Sequence, residues 1–276
     1  MKRAAIFGVG LIGGSFALAL RNAGFKGEII GVSSPQTISQ AIEAGVIDRG
    51  ADPMDAARHS DFIYLAQPVF TIIRTIETYG GEFAEGAIVT DAGSTKSAIV
   101  EAAGRWIRRA VFIGGHPMAG KEQRGVSAAE AGIFTGRKYV LTPRTTEDNQ
   151  SPGFVTVLDW VKRIGSIPVV IHPDDHDRLV AVTSHLPQLV STALGSVLAQ
   201  LTDAEKVAGP AALEFTRLAA SPFDVWSDIL ESNRENIVKA LLTLEAKLAH
   251  LRENIGGERL RPDFEQGAKG AARIRS

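Results

Sequence analysis

The chain contains no cysteine. That absence excludes disulfides, thiolate nucleophiles and cysteine-ligated zinc or iron–sulfur centres. Charge of one sign is lacking too: 30 basic residues stand against 31 acidic ones, a net charge of −1. Without a polybasic surface there is no electrostatic footprint for nucleic acid or anionic lipid, and neither is expected as a partner. Uninterrupted apolar runs are missing as well. Residues 4–20 follow Met1-Lys2-Arg3 in the manner of a secretory leader, yet glycines break the stretch where a strand, a turn and a helix need them. Residues 180–201 form the other apolar stretch. Ser184, His185, Pro187, Gln188 and Gln200 within it point to a buried helix, not a membrane span. No internal repeat is visible. What remains is a 276-residue chain, 45% hydrophobic and 22% charged, with the balance of an ordinary globular protein. A cytoplasmic location is expected.

Short apolar runs at residues 4–7, 28–32, 61–65, 87–90, 111–113, 138–141 and 167–171 read as strands. Helical patterns at 11–22, 35–44, 96–108 and 153–164 lie between them. Strands alternating with helices imply right-handed crossovers. The expected architecture for residues 1–172 is therefore an α/β domain, a doubly wound, mainly parallel sheet that binds a dinucleotide. From residue 173 onward no strand pattern appears, so residues 173–276 are expected to be all helical. Ile237, Leu241, Leu244, Leu248, Leu251 and Ile255 step by four and three, the spacing of a coiled-coil seam. This stripe fits either a helix packed inside its own domain or one that also meets a second subunit. The tail from about Gly256 lacks periodicity and is expected to be mobile.

The run Gly8-Val9-Gly10-Leu11-Ile12-Gly13 follows the first strand and opens the first helix, the context a dinucleotide fingerprint requires. Gly8 permits the tight turn, Gly10 lets backbone approach a pyrophosphate, and Gly13 lets helix pack on strand. Leu11 and Ile12 supply the first N–H groups of the helix. At the end of the second strand an NAD enzyme usually places an acid for the ribose hydroxyls. Here the chain reads Val32-Ser33-Ser34-Pro35-Gln36-Thr37. The missing carboxylate removes repulsion against a 2′-phosphate, and the hydroxyls of Ser33 and Ser34 can bond to one. No lysine or arginine stands there to neutralise it. The cofactor expected is NADP or NAD, with the missing acid favouring NADP.

Ligands bind open α/β sheets beyond the carboxyl ends of the strands. Asp91-Ala92-Gly93-Ser94-Thr95-Lys96 follows one strand end, and Gly114-Gly115-His116-Pro117-Met118-Ala119-Gly120 follows the next. Ser94 and His116 are thereby expected over one crevice. A titratable ring beside a nicotinamide is what a dehydrogenase needs to take a hydroxyl proton while hydride leaves carbon. The flanking glycines and proline fix the backbone and leave space around the ring.

At these residues the chain resembles the TyrA family, the prephenate and arogenate dehydrogenases of tyrosine biosynthesis. The glycine fingerprint, the runs 91–96 and 114–120, Thr183-Ser184-His185-Leu186-Pro187, Phe215-Thr216-Arg217-Leu218-Ala219 and Trp226 carry the resemblance from about residue 3 to 255. It implies a Rossmann-like domain, a helical domain that forms a homodimer, and an active site between them. It also implies oxidative decarboxylation of a cyclohexadienol, with no metal. By the same resemblance His116 hydrogen-bonds the C4 hydroxyl and Ser94 orients it. His185 and Arg217 bind substrate, Arg217 by clamping a carboxylate. From the residues alone, a buried helix histidine is the alternative for His185, and a surface ion pair the alternative for Arg217. The chain departs from many relatives at Gly209-Pro210-Ala211-Ala212-Leu213-Glu214, where they carry a lysine and an aspartate. Contacts to the side chain that separates prephenate from arogenate are affected. Glu214 is the one carboxylate there for an ammonium. Prephenate is taken first, and no fused mutase or regulatory domain is expected.

Two rivals share some of these features. Hydroxyacid dehydrogenase-like proteins use the same layout but lack the Gly-Gly-His-Pro run. A dinucleotide-sensing regulator needs the fingerprint but not His116, Ser94 and Arg217 together.

Overall fold

The computed structural model describes residues 1–121, 123–145 and 147–275. Its first half is built from β1 (Arg3–Phe7), α1 (Leu11–Asn22), β2 (Glu28–Val32), α2 (Pro35–Glu43), β3 (Arg49–Gly50) and α3 (Pro53–His59). There follow β4 (Phe62–Leu65), α4 (Val69–Tyr79), β5 (Ile88–Asp91), α5 (Ser97–Trp106) and β6 (Val111–Pro117). The sheet is completed by β7 (Lys138–Thr142), α6 (Pro152–Arg163) and β8 (Ile167–Val170). The eight strands form one sheet in the order β3-β2-β1-β4-β5-β6-β7-β8. All pairs are parallel except β6 with β7. The expected doubly wound sheet is present.

Both faces of this sheet are buried, which the alternation of its strands records. Ala4 and Ile6 of β1, with Phe62 and Tyr64 of β4, pack against Phe16 and Leu20 of α1 and Val157 and Val161 of α6. Ala5 and Phe7, with Ile63 and Leu65, pack on the other face against Ile72 and Ile76 of α4 and Ile99 of α5. A strand covered on both sides reads as a continuous apolar run, so β1 and β4 were plain in the sequence. The two-residue β3, α3 and α4 were not expected. Helix α4 begins at Val69, straight after Pro68, in a stretch without a polar N-cap.

The strand ends, aligned across the sheet, set up everything that follows. Phe7 lies opposite both Val32 and Leu65, and Leu65 opposite Asp91. One row of carboxyl ends therefore runs from β2 through β1 and β4 to β5. The chain order reverses between β1 and β4, the switch point at which such sheets open a crevice.

Beyond the sheet lie α7 (Pro173–Val180), α8 (Leu186–Leu198), α9 (Pro210–Thr216), α10 (Phe223–Ser232), α11 (Arg234–Glu253) and α12 (Arg261–Arg275). The helical character expected after residue 172 is observed. A π-helical turn, residues 181–185, joins α7 to α8. Pro187 has no N–H to offer the carbonyl four residues back, and the widened turn takes up the mismatch. No helix among the described residues is long and apolar enough to cross a membrane. The tail, expected to be mobile, contains α12, whose Asp263 meets Lys247 and His250 of α11 at 3.7 and 3.1 Å. Alanine, glutamate, glutamine and lysine along 265–272 sustain the helix without an apolar face, so periodicity gave no sign of it.

Gly13 shows how tightly β1 and α1 are joined. A Cβ there stands 2.0 Å from the backbone oxygen of Gly8 and 3.0 Å from Ile6. The obstructing atom is backbone and cannot turn aside. Gly13→Ala is expected to lose about 3 kcal/mol of stability, the upper end of overpacking costs, and to weaken dinucleotide binding. Urea denaturation and cofactor titration of the variant check both.

Candidate active site

A cleft of about 570 Å³ opens at the switch point. Gly10, Leu11 and Ile12 form one wall, Ala66–Val69 and Ala92–Ser94 the next, and Ala119, Gly120 and Lys121 a third. Asp224, Val225, Asp228 and Ile229 of α10 close it from the helical half. The fingerprint behaves as its spacing suggests. Gly8 has φ +89° and no room for a Cβ beside the Ala66 carbonyl. At Gly10, by contrast, a Cβ meets nothing within 4 Å, so that side of the backbone is left open to the cleft. Helix α1 has no side-chain cap and no acid in its first turn. Its leading N–H groups are thus turned to the cleft beside open backbone, which fits a dinucleotide pyrophosphate. Ser33 and Ser34 are exposed at the end of β2. The hydroxyl of Ser34 caps α2, accepting from Thr37 N at 3.3 Å and pairing with Thr37 Oγ1 at 2.9 Å. It is therefore less open to a ribose than the sequence suggested.

Ser94 sits half-buried in the cleft wall just after β5, and Ala119 and Gly120 follow β6 in the same cleft. The strand β6 runs further than expected. His116 lies within it, paired opposite Val140 of β7, not in a loop beyond it. The glycines before it serve the strand as much as the ring. A Cβ on Gly115 stands 2.5 Å from the Asp91 carbonyl oxygen, so β6 can approach β5 this closely only with glycine there.

His116 Nδ1 lies 2.8 Å from Nε2 of His176, and Nδ1 of His176 lies 2.7 Å from Oδ1 of Asp177. Both residues come from α7, so the array spans the two halves of the chain. Asp177 also accepts from the backbone N–H of Lys96 at 2.7 Å and of Ser97 at 2.9 Å, which caps α5 from a distance. Burial pushes the Asp177 carboxyl up, but the bonds from His176, Ser97 and Lys96 outweigh it and hold it below the usual range. His116 is held well below its ordinary value, first by burial and then by His176, Lys96 and His185. The ring is thus neutral near pH 7, and its Nε2 is the nitrogen left for a ligand.

Lys96 is completely buried and pairs with Asp91, also completely buried. Its Nζ donates to Gly115 O at 2.8 Å, while Asp91 accepts from Gly93 N at 2.8 Å and Gly115 N at 2.9 Å. The two ends of the run 91–96 therefore grip the residue preceding His116. Burial lowers the Lys96 pKa, and Asp91 opposes the shift.

His185 is buried, its ring edge-on to Trp226 with centroids 6.1 Å apart. Its Nδ1 is 3.3 Å from Nδ2 of Asn233, which donates to the Asp177 carbonyl at 2.7 Å. Burial holds its pKa down to about 4; Asp177 opposes that shift, and His176 adds to it. Arg217 begins a 3₁₀ turn after α9 and is exposed, away from the walls of the cleft. The structure places Ser94 and the fingerprint on one cleft, while His116, His185 and Arg217 are not among its walls; His116 lies on β6, three residues before Ala119, which is. His176, Asp177, Lys96 and Asp91 were missed as site groups. The adjacent His-Asp pair at 176–177 was visible, but nothing in its spacing ties α7 to β6.

The family model "Prephenate dehydrogenase, nucleotide-binding domain" matches residues 16–167, and "Prephenate dehydrogenase, dimerization domain" matches residues 172–266. The chain is 30% identical to a prephenate dehydrogenase of Lactococcus lactis, over 98% of this chain and 76% of that protein. It superposes on prephenate dehydrogenase from A. aeolicus, solved with hydroxyphenyl propionate and NAD⁺, with TM-score 0.85 and 34% identity. That match covers 100% of this chain and 96% of the other. Synechocystis arogenate dehydrogenase matches with TM-score 0.81 and 30% identity, over 100% and 99% of the two chains.

The grip of Lys96 and Asp91 on Gly115 is open to test. Lys96→Met leaves Asp91 buried without a counter-charge and is expected to cost about 3–5 kcal/mol. Urea midpoints of wild type and variant measure it.

Proposed function

Because the chain belongs to the prephenate dehydrogenase family, we propose that it converts prephenate to 4-hydroxyphenylpyruvate by oxidative decarboxylation, in tyrosine biosynthesis. The observation that carries this reading is a neutral histidine, His116, held through Nδ1 by His176 at 2.8 Å, on the strand that leads into Ala119 and Gly120 of the cleft wall. A bound nicotinamide supplies the acceptor for a hydride. The chain's own residues deal with the proton and the geometry.

His116 takes the proton of the C4 hydroxyl through Nε2 as that carbon is oxidised. Ser94, on the cleft wall after β5, orients the same hydroxyl. The dienone so formed loses carbon dioxide because an aromatic ring results; the released electron pair ends on the C4 oxygen, which takes back the proton held by His116 to give the phenol. Arg217 is assigned a substrate carboxylate by family resemblance alone, since it stands outside the cleft walls. His185 is buried and neutral, with its ring edge-on to Trp226.

Prephenate remains ahead of arogenate because Glu214, the carboxylate suited to an ammonium, is exposed on α9 and away from the cleft walls. The end of β2 has no carboxylate to repel a 2′-phosphate, which keeps NADP⁺ open beside the NAD⁺ bound by the A. aeolicus relative. The active form is a homodimer built on the helical half. Leu242, Leu248 and Ile255 of α11 and its following turn are 59%, 55% and 82% exposed in the single chain, too much apolar surface for one helix to leave in water.

Nicotinamide reduction with prephenate and arogenate, each against NAD⁺ and NADP⁺, tests the reading. Turnover in at least one pairing is expected, and silence in all four with the cofactor bound overturns it. His116→Asn is expected to keep cofactor affinity and lose turnover on the order of 10²–10⁴-fold. Because the neutral ring is the base, wild-type kcat/KM is expected to be flat at neutral pH and to fall only below the ordinary histidine value of 6.5. A pH profile with an acid limb at or above that value contradicts the assignment.

A further inference from the structure

Three residues in line, His116 on β6 and His176 with Asp177 on α7, form a chain of two hydrogen bonds at 2.8 and 2.7 Å. Protons can be assigned along it from the far end. Asp177 is an acceptor, since it already takes N–H groups from Lys96 and Ser97 and is ionised. Nδ1 of His176 must then donate to it, and if that is the ring's one proton, its Nε2 holds a lone pair. That lone pair faces Nδ1 of His116, so Nδ1 of His116 must carry the proton. Its Nε2 is left as the lone pair. We infer that His176 is a positioning residue, anchored by Asp177, which fixes His116 in the Nδ1–H tautomer and so makes Nε2 the basic nitrogen.

The inference rests on the reading of His116 as the base and goes beyond it in assigning a task to α7. Without an acceptor at the position of His176 Nε2, His116 can carry its proton on either nitrogen. Molecules with Nε2 protonated present a donor to the substrate hydroxyl and cannot accept from it. A misassigned histidine tautomer of this kind is a recognised cause of large losses of turnover in hydrolases, up to about 10⁴-fold.

The groups around the array fit the assignment. Lys96 and Asp91 lie on the β5 side as a buried ion pair, and Lys96 adds to the groups that disfavour a charge on His116. His185 faces it from the π-helical turn and is neutral, with a pKa of about 4. Asn233, between α10 and α11, donates to the backbone carbonyl of Asp177 at 2.7 Å and steadies the end of α7. Asp177 is thus the ionised acceptor at the end of the line. The array also exists only when α7 is seated on the N-terminus of α5. Docking of the helical half and the protonation pattern of His116 are therefore one event.

Two amide substitutions separate this role from a purely structural one. A glutamine at 176 places its carbonyl oxygen near the position of Nε2 and can still accept from His116. An asparagine reaches only the position of Nδ1 and can still bond Asp177, but not His116. His176→Asn is expected to lower kcat on the order of 10²-fold with the KM for cofactor unchanged, and His176→Gln to stay within about tenfold of wild type. Equal losses in the two variants, or a kcat for His176→Asn within about threefold of wild type, overturn the inference. Nitrogen-15 spectra of histidine-labelled protein, assigned with His116→Asn, give a readout independent of turnover. The His116 signals are expected to show Nδ1–H in the wild type and to lose that preference in His176→Asn. An Nε2–H signature in the wild type overturns the inference even if the variants fold poorly. Should the tautomer follow His176 while His116→Asn keeps full turnover, the reading of His116 as base fails and the geometry stands. If His116→Asn is inactive and the tautomer ignores residue 176, only the inference fails.

Discussion

The buried ion pair between Lys96 and Asp91 is the constraint on which the site depends. Both side chains are fully removed from solvent. Charges buried this deeply are held at a large desolvation cost, and apolar residues of similar volume often give an equally stable protein. Stability is therefore a weak reason for the pair. Its geometry supplies a better one. Asp91 ends β5 and accepts from Gly115 N, while Lys96 opens toward α5 and donates to Gly115 O. An apolar pair can fill that space but cannot take hold of both polar groups of one peptide residue. With Gly115 gripped on both sides and β7 paired opposite, the following residue has little freedom. His116 is that residue.

A second constraint joins the halves of the chain. Asp177 belongs to α7, yet it caps α5 of the sheet domain through the N–H groups of Lys96 and Ser97. A carboxylate at a helix N-terminus is favoured by the unpaired N–H groups and the helix dipole. Further bonds tie the halves near the cleft: Thr95 to Ser232 at 2.8 Å and Phe70 N to Asp228 at 3.0 Å. The dinucleotide cleft is therefore roofed by α10 at a fixed height, and the His116 array is completed from α7. Neither half of the chain contains the whole site.

This division explains how much was legible in the sequence. Strands buried on both faces and a glycine run at a strand–helix junction are local signals, and β1, β4 and the fingerprint stood out for that reason. His116 was legible through its glycine and proline neighbours, although the strand that carries it extends beyond the apolar run that announced it. His176 and Asp177 were not legible, because their meaning comes from the seating of α7 on α5, a contact about eighty residues apart in sequence. Lys96 and Asp91 lay in a run singled out for Ser94, and only the register of β5 against β6 shows what its ends do. Helix α12 was hidden for a different reason. It is exposed nearly all round, so it has no apolar face for periodicity to detect.

Charge balance in the site follows from the same contacts. His116, His176 and His185 lie near one another with Lys96 beside them, and these neighbours, with burial, disfavour a positive charge on His116. Such a cluster is poor at holding protons at rest and well suited to accepting one for a moment. In the proposed reaction His116 gains a proton at Nε2, and the ring becomes a cation whose inferred Nδ1–H points at His176. The compensating negative charge lies one ring farther on, at Asp177, whose own bonds keep it ionised. That carboxylate is too far away to pair with His116 directly, which would raise the resting pKa and leave the base protonated. Yet it is connected closely enough, through a polarisable ring, to stabilise the cation as it forms. Placing one imidazole between base and carboxylate reconciles the two demands: a ring that is neutral before reaction, and a charge that is tolerated during it.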